Sequence, residues 1–132
     1  MEKVIFIIRG IPGCGKSTAS KMLGTKAICS SDDYLYTRDG KYIWSPDRVR
    51  AAHKWCQRKC LKYMAINADR IVIDNTNTSE KEFKPYEDMA EVFGYKIIYF
   101  IVENRHNGVN IHNVPLDIIS NMKKRLLQSI KL

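Results

Sequence analysis

The stretch Val4-Ile5-Phe6-Ile7-Ile8-Arg9-Gly10-Ile11-Pro12-Gly13-Cys14-Gly15-Lys16-Ser17-Thr18 decides the fold. Lys3–Ile8 is a continuous β-branched and aromatic run, the pattern of a strand buried on both faces. Gly10, Ile11, Pro12, Gly13, Cys14, Gly15, Lys16 and Ser17 then fit GxxxxGK[ST] without a mismatch. Glycines let such a loop turn its backbone N–H groups inward, at the positive end of the following helix, to cradle phosphate oxygens. Lys16 is expected to reach the β- and γ-phosphates of ATP, and the Ser17 hydroxyl to bind Mg²⁺. Thr18 closes the segment, and Cys14 occupies a variable position that requires no chemistry of it.

Outward from the loop, a helix is predicted over Lys16–Leu23, stopped by Gly24. Lys26–Cys29 reads as a second strand, and Tyr34–Trp44 as a hairpin around the Asp39-Gly40 turn. Ser45-Pro46 opens a helix to about Ile66. Arg70–Asp74 is a third strand. Ser79 and Glu82 form a capping box, with Pro85 expected to kink the helix or delay its start. Tyr95–Val102 is a fourth strand, and Pro115–Ile130 a last helix with Ile118, Ile119, Met122 and Leu126 on one stripe. Strands alternating with helices predict an α/β three-layer sandwich. Its four-stranded sheet is mainly parallel and covered on both faces, and a C-terminal lid and helix follow. One domain is expected over residues 1–132. Ligands of such sheets sit beyond the carboxyl ends of the strands.

Polar groups follow each remaining strand. Ser31-Asp32-Asp33-Tyr34 follows the second. A phosphoryl acceptor hydroxyl needs a carboxylate to take its proton. Read as extended chain, the two aspartates point opposite ways, so one of them enters the site. Asp74 ends a hydrophobic run in the manner of a Mg²⁺-holding acid. Asn75, Thr76 and Asn77 either hold an acceptor or shape a turn. Glu103–Asn113 suits a mobile lid in which Arg105 either stabilises transferring charge or is solvated.

Net charge is +8, from 22 basic and 14 acidic residues, which favours anionic partners. Neither a signal peptide nor a membrane-spanning run is visible. Four cysteines without CxxC pairs lead to the expectation of a reducing cytoplasm. Cys56 and Cys60 share an apolar helical stripe with Val49, Ala52, Tyr63 and Met64, the pattern of buried structural thiols, and His53 beside it reads as a core histidine. Arg48, Arg50, Lys54, Arg58, Lys59 and Lys62 form either a solvated face or a track for a nucleic-acid backbone. Tyr36, Tyr42 and Trp44 either stack on a base or pack.

Gly10–Thr18, Ser31-Asp32-Asp33-Tyr34, Asp74-Asn75-Thr76-Asn77 and Val114-Pro115-Leu116-Asp117 together resemble the kinase domain of phage-type 5′-hydroxyl polynucleotide kinases. Arg38-Asp39-Gly40, Ser45-Pro46-Asp47, Ala52-His53-Lys54-Trp55 and Lys84-Pro85-Tyr86 bring the resemblance nearer to polynucleotide-kinase-like domains of certain animal ubiquitin-ligase-binding proteins. It spans about the whole chain. The resemblance implies a P-loop kinase-like fold and ATP-dependent phosphorylation of a 5′-hydroxyl end of DNA or RNA. It makes Asp32 the general base, Lys16 and Ser17 the phosphate and Mg²⁺ contacts, and Arg105 a lid cation. Asp33, Arg38, Asn75, Thr76 and Asn77 are the candidates for acceptor contact. Leu35 and Val109 stand where that family carries arginines. Two other readings are therefore carried forward: a kinase for nucleosides or other small hydroxyl compounds, and a nucleotide-dependent binding module without efficient transfer.

Overall fold

Parallel pairing throughout one sheet places the loop and the candidate acids on a single edge. The computed structural model describes residues 2–103 and 114–130. Its strands are β1 (Val4–Arg9), β2 (Ile28–Cys29), β3 (Arg70–Asp74) and β4 (Lys96–Ile101). Its helices are α1 (Lys16–Met22), α2 (Asp32–Leu35), α3 (Pro46–Ala65), α4 (Glu80–Phe93) and α5 (Leu116–Ser129). The strand order is β2-β3-β1-β4, and all three pairings are parallel. Ile8 lies opposite Asp74. The phosphate-loop sequence and Asp74 therefore leave the sheet side by side.

The period of two along each strand sorts the core. Ile5, Ile7, Cys29, Ile71 and Ile73 meet Cys56, Cys60 and Met64 of α3 and Phe83, Tyr86 and Ala90 of α4. Each such fully buried aliphatic side chain contributes about 1.5–3 kcal/mol of transfer free energy. On the opposite face α1 packs against β1 and β3. The expected cover on both faces holds over β1 and β3. The edge strand β4 is covered less, with Tyr99, Phe100 and Ile101 at 41–42% exposure.

Local chemistry explains the boundaries. Ser45 Oγ accepts from Arg48 N at 3.2 Å and Pro46 begins α3. Such a cap is worth about 1 kcal/mol. The Ser79–Glu82 capping box opens α4 at Glu80, and Thr78 Oγ1 also donates to Glu82 at 2.7 Å. Pro85 lies inside α4, so the expected delay of its start does not occur. Proline removes one helical hydrogen bond there, while neighbouring Phe83 and Tyr86 bury their rings in the core.

Two expectations around the second strand are corrected. Asp32 and Asp33 are not extended; they open α2, a single helical turn. The hairpin is correspondingly shorter, closed by an antiparallel bridge between Tyr36 and Tyr42 and by Thr37 N donating to Lys41 O at 2.8 Å. The cysteine reading agrees with the structure: all four thiols are free and buried, and burial pushes that of Cys56 up to about 11. In α3, Lys54, Arg58 and Lys62 recur every fourth residue. At about 100° per residue they fall roughly opposite Ala52, Cys56 and Cys60. They thus point away from the sheet, as a solvated face does.

Helix α5 is tied down through β1 and the turn before α4. Arg9 donates from Nε to Asn77 O at 2.7 Å, lies 4.7 Å from the Phe83 ring centroid and bonds the Ser129 hydroxyl. Ser129 Oγ in turn donates to Thr78 O at 3.0 Å. Gly10 is required for space: a Cβ there would lie 2.5 Å from Cys14 Sγ and 3.0 Å from Val102 O. Gly10→Ala should therefore cost about 1–3 kcal/mol by overpacking, read as a lowered midpoint in a thermal melt.

Candidate active site

At the carboxyl edge of the sheet lies a cavity of about 270 Å³. Its floor is the loop: Pro12, Gly13, Gly15, Lys16, Ser17 and Thr18 all line it. Gly15 caps α1 with φ 99°, a left-handed conformation that a side chain would strain. Lys16 Nζ donates to Ile11 O at 3.1 Å, which draws the ammonium back over the loop.

The far wall comes from β2 and its continuation. Ser31 and Asp32 line the cavity, whereas Asp33 is exposed and does not. One aspartate thus enters, as expected, but a helical turn rather than alternation along a strand separates the pair. Asp32 is held from two sides. Tyr42 donates from its hydroxyl to Asp32 Oδ1 at 2.9 Å. Ser31, directly before it, donates from N and Oγ to Asn75 Oδ1 at 2.9 and 2.8 Å.

Asn75 borders the cavity with Thr76, yet its amide is engaged: Nδ2 also lies 3.5 Å from Cys56 Sγ. Its structural work is to join the ends of β2 and β3. Asn77 is buried away from the cavity, with φ 45°, and donates to Ile8 O at 2.8 Å. Arg38 sits exposed near the hairpin tip and does not line the cavity. Arg105 and Val109 lie outside the described residues.

Asp74 lines the cavity at 7% exposure. Burial raises its carboxyl above the ordinary aspartate value, opposed by the Ser20 hydroxyl and by Lys16. A raised folded value means a stabilising contribution present at low pH that is lost as pH rises through that value. Asp74→Asn should therefore melt higher than the wild type near neutrality, and the gap should close as pH falls below the ordinary aspartate range. Thermal melts across pH read this directly. The Ser17 hydroxyl and the Asp74 carboxylate suit Mg²⁺, which takes few protein oxygens and completes its shell with phosphate and water.

Of the apolar wall, the sequence offered Trp44 as a stacking residue and assigned the others no place in the site. Trp44, Val49, Val114 and Met122 make this wall apolar, with Leu35. His53 also lines the cavity. Burial lowers its imidazole below the ordinary value, against the pull of Glu82 and Asp32, so it is neutral at physiological pH. Val49 and His53 lie four apart in the first turns of α3, Val49 on the cysteine stripe and His53 beside it. That spacing was the available signal. Burial also raises the Cys14 thiol, keeping it un-ionised near neutrality.

A family model described as an AAA domain matches residues 5–108. The chain belongs to this AAA domain family. Within the matched segment lie the loop, Asp32 and Asp74. Human NEDD4-binding protein 2 is 33% identical to the AAA domain chain over 100 residues, covering 73% of the chain and 6% of that protein. The chain spans 6% to 23% of the length of the curated relatives it matches. Among solved structures, a putative kinase from Chloroflexus aurantiacus superposes with a TM-score of 0.62 at 13% identity, covering 97% of this chain and 68% of that one. The Pnkp1/Rnl/Hen1 RNA repair complex gives 0.60 at 18% identity, covering 99% and 40%. The fold, an α/β domain with a four-stranded parallel sheet, matches that of these structures. No helix among the described residues is long and apolar enough to cross a membrane.

Proposed function

We propose that this AAA domain chain transfers the γ-phosphoryl group of ATP to the 5′-hydroxyl end of DNA or RNA. The observation that carries the reading is that Asp32 and the Lys16–Ser17 loop line one cavity with an apolar wall. The loop holds the triphosphate, and Lys16 moves from Ile11 O to the β- and γ-phosphates. Ser17 and Asp74 would hold Mg²⁺, which would supply neutralisation of phosphate charge. Asp32 orients the acceptor hydroxyl in line and takes its proton. Leu35, Trp44 and Val49 offer a surface for a terminal base. The net charge of +8 and the structural neighbour in an RNA repair complex support a nucleic-acid acceptor.

One observation favours a small hydroxyl acceptor instead. Among the described residues lining the cavity, Lys16 is the sole lysine or arginine, so none remains there for an acceptor's backbone phosphate. Competition separates the two readings. Unlabelled 5′-hydroxyl oligonucleotide should suppress labelling of a nucleoside acceptor under this proposal. Suppression by nucleosides alone would favour the small-molecule kinase, and ATP binding without transfer to either would favour a binding module.

A further inference from the structure

The hairpin between α2 and α3 is braced to deliver one hydroxyl. Ile43 N donates to Leu35 O at 3.0 Å, joining its outgoing strand to the end of α2. Arg48 of α3 donates to Ile43 O at 3.0 Å and to Leu35 O at 3.3 Å, so three elements share one knot. The Tyr36 and Tyr42 rings meet edge-on with centroids 5.1 Å apart. From that support the Tyr42 hydroxyl reaches Asp32 Oδ1 at 2.9 Å on the wall of the cavity.

We propose that Tyr42 is a positioning residue for phosphoryl transfer, its hydroxyl fixing the Asp32 carboxylate through Oδ1. The inference rests on Asp32 being the base. An aspartate on a single helical turn has a broad terminal torsion, and a bond from a fixed phenol removes that freedom before the acceptor arrives. Tyr42 keeps its own proton throughout: burial first, and then the Asp32 charge, raise the phenol above its ordinary value. In the step itself, the acceptor oxygen bonds to the γ-phosphorus, the bond to the ADP oxygen breaks, and the acceptor proton passes to Asp32. Tyr42 gains and loses nothing.

Tyr42→Phe keeps the ring contact with Tyr36 and deletes the hydroxyl alone. It should lower kcat by about 10- to 100-fold, the worth of one hydrogen bond to a charged group, while KM for ATP stays within about 2-fold. Added to Asp32→Asn, it should lower kcat no further, because both changes act on one group. In carbon-13 spectra of protein labelled at tyrosine Cζ, the resonance missing from Tyr42→Phe should shift in Asp32→Asn. That signal is read without turnover. A wild-type kcat in Tyr42→Phe, multiplicative effects in the double variant, or an unmoved Tyr42 resonance would each overturn the proposal. Absence of transfer by the wild-type protein would overturn the reaction reading and the positioning role with it, while a shifted resonance would still establish the contact.

Discussion

Lys16→Ala should lower phosphoryl transfer by roughly 10³-fold or more, the scale of losing a cation that stabilises transferring phosphoryl charge. No second lysine or arginine among the described residues lines the cavity, so no described neighbour is placed to take over. The loss belongs in kcat as well as in ATP affinity, because charge on the bridging and γ-oxygens grows towards the transition state. Lys16→Arg should restore little: a planar guanidinium does not fit a cradle built for a compact ammonium. The fold should survive, since the described hydrogen bond lost is the one from Nζ to Ile11 O. Single-turnover transfer beside a thermal melt checks both statements. Transfer at the wild-type rate in a folded Lys16→Ala protein would remove the loop from the mechanism.

Asp32→Asn should lower kcat by about 10²–10⁴-fold, the range for losing a general base. The amide keeps the shape of the carboxylate and can still accept from Tyr42, so packing around α2 is preserved. What goes is the capacity to take a proton. KM for ATP should change little, because Asp32 lies on α2 and not in the phosphate loop. Asp33→Asn is the matched control: that side chain is exposed and off the cavity, and its substitution should leave kcat near wild type. An equal loss in both variants would show that charge at α2, rather than a base at Asp32, is what matters.

The elements most legible in the sequence are those dictated by local rules. GxxxxGK[ST] between an apolar run and a helix located the loop, and the capping residues Ser45 and Ser79 located α3 and α4. Parallel order followed from alternation. The site was legible where a residue ends a strand, as Asp74 does. It was hidden where long-range packing decides. Nothing local states that Tyr42 folds back ten residues to Asp32, because that contact is made by the knot of Leu35, Ile43 and Arg48. Asn75 read either as an acceptor contact or as a turn former, because a polar side chain after a strand has the same look whether it faces a ligand or ties two strand ends together. Asp32 and Asp33 read as extended because a single helical turn is too short to show a period.

Under the proposed function, the cavity joins a triphosphate site to an acceptor hydroxyl presented to Asp32. Radiolabel transfer from γ-labelled ATP with Mg²⁺ to 5′-hydroxyl DNA and RNA oligonucleotides tests it most directly, with the label's position mapped by nuclease digestion. Label confined to the 5′-terminal nucleotide, and lost in Asp32→Asn, is the predicted result. Bound ATP with no label on any 5′-hydroxyl end would contradict it.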